Sequence, residues 1–283
     1  MATLALSNPE VLLPEIAQGL RAGDVVPYLG PGISALTVSP SPVPLTPEDL
    51  AAYFATRTTL PRRAVGNAWA AAQYIESHRF RDTLVAWMTD AFAPGIVPSS
   101  FHRWLAGLGL PLVVDSWYAG DMRGALAETA TDWAEVQAIS RALIGEDKWY
   151  RWFGPSGDQI PASLGEAART VLYTPHGSAR PLGNFLISDA DYVEVLTEID
   201  IQTPIPDEVR RRRTGKAFLF AGCRFHDQML RSYARQIIKR SSDRHYAIVE
   251  VASLTRNEHR FLDEHDFVVI DMPLGEALNR LMS

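Results

Sequence analysis

The chain has 283 residues, 47% of them apolar and 21% charged, with a net charge of −6 and a single cysteine, Cys223. That length buries a large core, as one domain or as a domain with a subdomain. The charge excludes a global positive field toward nucleic acid, the lone thiol excludes an internal disulfide and any zinc site built on two or four cysteines, and no apolar run is long enough to span a membrane. The opening residues MATLALSNPE lack the basic start and apolar centre of a secretory signal, so the expected compartment is the cytoplasm.

Residues 8–22 place Val11, Leu12, Ile16 and Leu20 on one helical face, and Gly23 and Asp24 end that helix. Residues 25–29 are an apolar run of strand length, in which Pro27 would deny a central strand one ladder hydrogen bond. Prolines at 40, 42, 44 and 47 keep residues 38–47 out of regular structure. Thr46 then caps a helix, with Pro47 at its first position and Glu48 and Asp49 in its first turn. A long alanine-rich helix is predicted over 66–92, and Ser100 reads as the cap of another that stops at Gly107 and Gly109. Residues 110–114, 170–173 and 216–222 read as buried strands. Residues 184–196 give a short strand, an Asp189 cap and a helix; 227–240 give a helix; and 244–251 and 267–272 are strands around a last helix. The four arginines at 210–213 read as a solvated loop before a strand.

Alternating strands and helices predict an α/β fold: a Rossmann-like parallel sheet with helices on both faces and a smaller, mainly helical insertion. Residues 1–283 are expected to form one domain, in which 38–100 and 127–168 are helical or loop insertions making a small subdomain.

Gly30-Pro31-Gly32-Ile33-Ser34-Ala35 fits G-x-G-x-x-A, in which the first glycine makes a tight turn, the second lets the backbone approach a pyrophosphate, and the small last residue admits close packing. The same residues fit a plain strand-to-helix turn equally well. Pro31 removes one amide from any anion-holding loop and leaves those of Gly32, Ile33 and Ser34. Glu48 and Asp49 fall at a helix start rather than at a strand end, which argues against an ordinary dehydrogenase.

Several separated stretches resemble the sirtuin superfamily in the family's order: LGPGIS its GAGxS loop, YTPHGS its strand ending in HG, FLISDADYVEVL its TxxDY stretch, and FLFAGCRFHDQMLR the LFxGYSxxDxxxR segment of bacterial sirtuin-like proteins. With one cysteine the chain is closer to the zinc-free group. The resemblance implies NAD as cofactor and no metal. It places Gly30, Pro31, Gly32, Ile33 and Ser34 under the NAD pyrophosphate, makes His176 the base on the nicotinamide ribose, and sets Gly222, Cys223 and Asp227 at the adenosine end.

At the family's TTNYD the chain reads Asp115-Ser116-Trp117-Tyr118-Ala119, so Trp117 replaces the catalytic asparagine and Ala119 the aspartate, and the resemblance sets Asp115, Ser116 and Trp117 among the cofactor-binding residues. An asparagine amide orients water and binds ribose hydroxyls, whereas an indole offers one donor and a stacking face. Three readings stay open: an NAD-cleaving enzyme with His176 as base; a catalytically degenerate module that binds NAD, ADP-ribose, a protein partner or a second copy of itself; and an unrelated Rossmann oxidoreductase. Stand-alone bacterial proteins of this resemblance are in some cases encoded near nitrogen-fixation genes, which suggests an accessory role. Nucleic acid and membrane are not expected partners.

Overall fold

The computed structural model describes residues 5–6, 8–37, 40–140, 149–198, 204–239, 241–242 and 244–283. Parts of the expected 38–47 loop, of the 127–168 insertion and of the 227–240 helix lie outside the described residues. In chain order the elements are β1 (Ala5–Leu6), α1 (Pro9–Ala22), β2 (Val25–Leu29), α2 (Gly32–Ala35), α3 (Pro47–Arg57), α4 (Ala68–Phe92), α5 (Ser100–Leu108), β3 (Leu112–Asp115), α6 (Asp121–Thr129), β4 (Trp133–Ala138), β5 (Tyr150–Phe153), α7 (Ala162–Ala167) and β6 (Thr170–Thr174). There follow β7 (Gly177–Ser178), β8 (Asn184–Phe185), α8 (Asp189–Glu198), α9 (Asp207–Arg213), β9 (Ala217–Ala221), α10 (Gln228–Ile238), β10 (Tyr246–Val249), α11 (Arg256–Glu264), β11 (Val268–Asp271) and α12 (Leu274–Met282).

Nine strands form one sheet in the order β1-β11-β10-β9-β2-β3-β6-β4-β5, and within it only β4 and β5 run antiparallel. Alternate residues of its strands feed two cores, as the two-residue side-chain period requires. Val25, Leu29, Val113 and Leu219 pack with Ile16 of α1, Leu105 of α5, Met122 of α6 and Leu281 of α12. On the other face Val26, Tyr28, Val114 and Phe220 pack with Val195 of α8, Val209 of α9, Ile237 of α10 and Leu262 of α11. The sheet is therefore covered on both faces, as the alternation of elements predicts.

A third core belongs to the helical segment between β2 and β3. Leu50 and Phe54 of α3 and Trp69, Ile75, Leu84 and Met88 of α4 close around Trp117, Tyr118, Phe185 and Tyr192. Thr46 caps α3, its hydroxyl accepting from the Asp49 N–H at 3.0 Å. The long helix breaks at Phe80 (φ 68°, ψ 158°), directly before Arg81, which turns inward to reach Asp191 at 2.8 Å. The cap of α5 is Ser99, one residue before the position read from sequence.

Two expectations are corrected. Residues 127–168 are not a helical or loop insertion: β4 and β5 within them form the edge of the main sheet. Buried Glu135 and Gln137 interrupt the apolar pattern of β4, and their hydrogen bonds come from groups outside the strand, while Gln137 Oε1 has no partner among the described residues. Glu135 accepts from Arg123 and from Thr174 at 3.1 Å, while Gln137 Nε2 donates to the carbonyls of Ser178, Leu182 and Asn184. Nor are residues 210–213 a solvated loop, because they end α9. Arg212 donates to the carbonyls of Pro111, Glu166, Ala168 and Arg169, and Arg213 to those of Gln236 and Ile237.

Pro27 sits in a central strand, with its missing donor on the side of β3. Gly30 N–H donates to Ala221 of β9, and Leu29 C=O accepts from Ser116 beyond β3, so odd-numbered residues of β2 face β3. The β2–β3 register begins only at Tyr28↔Val114, one residue after Pro27. Its missing donor therefore points where the ladder has not yet started.

Candidate functional site

A crevice of about 420 Å³ opens beyond the carboxyl ends of β2, β3 and β9, where the chain leaves β2 toward β3 on one side and has β9 on the other. Ligands of open α/β sheets bind at such a switch point. Pro31 and Gly32 from the glycine turn, Ser116 and Trp117 from the end of β3, and Cys223 to His226 from the end of β9 line it. Leu45 to Glu48 of the helical segment form its outer wall, and Leu230 and Ala234 of α10 close the apolar side. The walls are largely apolar, as in most small-molecule pockets.

The structure thus brings together five of the expected residues: Pro31, Gly32, Ser116, Trp117 and Cys223. Sequence reasoning did not single out Arg224, Phe225, His226, Leu45, Thr46, Pro47, Glu48 or Thr255 as lining the site. The outer wall comes from the proline-rich loop, whose path over the strand ends leaves no local pattern. One signal was in the sequence, since the GCRFHDQ segment carries Arg224 and His226 immediately after a buried strand.

The glycine turn is locked against the turn that follows β9. Gly30 N–H donates to Ala221 C=O at 2.9 Å, Gly32 N–H to Gly222 C=O at 3.0 Å, and Ile33 N–H to Gly30 C=O at 3.4 Å. A methyl group on Gly30 would meet Gly222 O at 2.4 Å, and one on Gly222, whose φ is +70°, would meet Ile33 N at 2.7 Å. These glycines allow two backbones to touch. The sequence left the amides of Gly32 and Ile33 available to an anion, but the fold commits both.

Ser34 lies behind the turn, not in the crevice, and its hydroxyl donates to Asp121. Asp115 is buried beside it and accepts from the N–H groups of Trp117 at 3.3 Å and Met122 at 3.4 Å. Burial, and then the neighbouring Asp121, push the Asp115 carboxyl up to about 8; burial raises Asp121 to about 6, against the opposing hydrogen bond from Ser34. Ser116 Oγ donates to Leu29 C=O at 2.7 Å, closing the end of β3 onto β2.

Trp117 is 5% exposed, and its indole N–H donates to Pro44 C=O at 2.9 Å. The ring lies 5.0 Å from Tyr118 and 6.3 Å from Phe92, so it ties the strand end to the helical segment while presenting part of its surface to the crevice. Cys223 is buried, with Sγ 3.5 Å from Tyr28 O, and burial pushes its thiol well up, which keeps it protonated.

His176 does not line the crevice. It is 2% exposed, its Nδ1 lies 3.1 Å from Tyr192 Oη, and its ring packs 4.7 Å from that of Tyr233 in α10, whose neighbour Ala234 does line the crevice. Nε2 has no hydrogen-bond partner among the described residues. Burial lowers its pKa to about 3, so the imidazole is neutral. Asp227 is likewise outside the lining and caps α10, its Oδ1 accepting from Met229 N–H at 2.7 Å.

At the mouth His226 Nε2 meets Glu48 Oε1 at 2.9 Å, linking the β9 loop to α3. Arg224 Nε and Nη2 bond the two oxygens of fully buried Glu258 at 2.8 and 3.0 Å. Glu258 also accepts from the N–H groups of Thr255 and Phe225, and these partners outweigh burial to bring its carboxyl down to about 2. No group of three or more His, Cys, Asp or Glu side chains among the described residues is placed to hold a metal ion, and no helix among them is long and apolar enough to cross a membrane.

A doubly covered, mostly parallel sheet with an apolar crevice at its switch point defines a Rossmann-like α/β protein. Residues 126–270, just over half of the chain, match the family model described as SIR2-like domain, and the chain belongs to that sirtuin-like family. No curated protein matches it significantly. The matched span contains His176, Gly222, Cys223 and Asp227, while the glycine turn and Trp117 lie before it.

Proposed function

We propose that the chain binds NAD or ADP-ribose in the crevice as a sirtuin-like module that does not cleave the nicotinamide–ribose bond. Family membership supports an NAD-related ligand, and the cavity falls in the size range of small-molecule sites. Trp117 and Phe225 offer surfaces for a planar ring, and Glu48 a carboxylate for ribose hydroxyls. The state of Trp117 carries the reading. At the position where the resemblance expects an asparagine, its only donor is spent on Pro44, so nothing there orients a water or a ribose hydroxyl.

The experiment pairs calorimetric titration of NAD and ADP-ribose with chromatographic measurement of nicotinamide. Binding without release is the expected result; release that disappears in His176→Ala would replace this reading with hydrolysis. One observation favours that second reading: His176 Nε2 has no hydrogen-bond partner among the described residues, although the burial that lowers its pKa to about 3 makes the ring a weak base. Tyr233 packs against that ring, so turnover would require the crevice floor to open. Absence of both binding and release would leave the module with a protein partner or a second copy of itself.

A further inference from the structure

We infer that the phosphate groups of the crevice ligand are held by the side chain of Arg224 rather than by the amides of the glycine turn. The inference rests on the reading that the crevice takes NAD or ADP-ribose, and it names the group that reads the diphosphate.

Two observations carry it. First, most of the donors that a glycine turn ordinarily turns toward a pyrophosphate are already used, and Ser34 is not among the residues that line the crevice. The N–H groups of Gly30, Gly32 and Ile33 end on Ala221, Gly222 and Gly30, and Pro31 has none. Freeing them would separate two turns packed backbone against backbone around Gly222. The diphosphate needs another partner.

Second, Arg224 and His226 are the only basic residues among those lining the crevice. His226 is engaged at Nε2 by Glu48. Arg224 is held differently. Glu258 takes the Nε and Nη2 edge of the guanidinium, Ser253 C=O accepts a further bond from Nη2 at 3.2 Å, and Nη1 makes no hydrogen bond among the described residues. The side chain is 46% exposed. A guanidinium presents five donors in a planar fork, so clamping one edge leaves the other oriented for an anion. Glu258 is itself fixed by the capping box of α11 and by Phe225 N–H, so the clamp is rigid before any ligand arrives. Preorganisation of this kind reduces the ordering cost of binding, and an arginine–phosphate contact is a charge-assisted bond with two-pronged geometry.

The test is titration of ADP-ribose and of phosphate-free adenosine into the full-length protein and into Arg224→Gln and Arg224→Lys. Glu258 keeps its bonds from Thr255 and Phe225 in both variants, and unchanged adenosine binding reports an intact crevice. Arg224→Gln is expected to weaken ADP-ribose on the order of 10- to 100-fold, the loss that follows removal of a charged hydrogen-bond donor. Arg224→Lys should recover part of that loss through charge without the fork, and added salt should weaken the wild type more steeply than Arg224→Gln. Wild-type binding with no loss in Arg224→Gln overturns the inference and leaves the binding reading standing. Parallel loss of adenosine and ADP-ribose in Arg224→Gln also overturns it, because the residue would then shape the crevice rather than read phosphate. If the wild type binds neither NAD nor ADP-ribose, the binding reading itself falls and the inference falls with it.

Discussion

Gly222→Ala and Gly30→Ala separate two roles for the glycine turn. If the glycines serve a ligand, the ligand-free protein should tolerate a methyl group; if they serve the contact between β2 and β9, it should not. Gly222 has φ +70°, which costs an L-residue roughly 1–2 kcal/mol. Its Cβ would also lie 2.7 Å from Ile33 N and 3.0 Å from Gly30 O. These are backbone atoms that cannot rotate away, and overpacking of this kind adds about 1–3 kcal/mol. The sum for Gly222→Ala is about 2–5 kcal/mol. Gly30→Ala carries no left-handed penalty, but its approach of 2.4 Å to Gly222 O is tighter, so its cost lies near the upper end of the overpacking range, about 3 kcal/mol. Gly107, inside α5 with nothing within 4 Å of its Cβ, is the control, and Gly107→Ala should stabilise by up to about 1 kcal/mol through helix propensity. Thermal unfolding without nucleotide reads all three, at about 2 °C per kcal/mol for a chain of this size. Midpoints for Gly30→Ala and Gly222→Ala within about 1 °C of wild type would refute the packing role.

Three further outcomes follow from the same geometry. Trp117→Phe keeps an aromatic ring beside Tyr118 and Phe92 but loses the bond to Pro44, and should cost about 1 kcal/mol, whereas Trp117→Ala empties the site and should cost about 3–5 kcal/mol; equal losses in urea unfolding would contradict the assigned contacts. Asp115 has a folded pKa near 8, above its unfolded value, so its contribution is complete below about pH 4 and is lost as pH rises through 8. Between pH 6 and 8, after Asp121 has titrated, wild-type stability should fall relative to Asp115→Asn by up to about 1.4 kcal/mol per pH unit, and parallel stability–pH curves would refute the burial argument. Arg212→Ala removes the donor to four carbonyls and should cost about 3 kcal/mol by chemical denaturation, against nearly nothing if the side chain were solvated.

The parallel sheet was legible in the sequence because most of its strands are unbroken apolar runs closed by glycine or a polar residue, as 216–222 is. The start of α3 was equally legible, since Thr46 and Pro47 act on the next few residues alone. The misreadings share a physical cause. In β4, Glu135 and Gln137 look like surface residues until Arg123, Thr174 and three carbonyls arrive from elsewhere. At 210–213 the arginines look solvated until the carbonyls of Pro111, Glu166, Ala168 and Arg169 converge on one of them. A polar side chain whose partners are remote in sequence carries no local mark of its burial. The site shows the same division. The strand ends that form its floor could be read, while the outer wall at 45–48 depends on how the helical segment folds back.

The glycine turn therefore bears on function in a different way from the one its spacing suggests. G-x-G-x-x-A describes where a backbone must come close to something, and here Gly30 and Gly32 come close to Gly222. A backbone contact of that kind depends on small residues at these three positions whatever occupies the crevice, so the pattern can persist while the chemistry beside it changes. Trp117 stands on the opposite wall, with its donor turned to Pro44 and away from the crevice. With the amides of Gly30, Gly32 and Ile33 and the indole donor committed, Arg224 Nη1 is a charged donor of the crevice wall that makes no hydrogen bond among the described residues. If the crevice takes NAD or ADP-ribose, as proposed, Trp117 and Arg224 are the residues that decide what it does with that ligand.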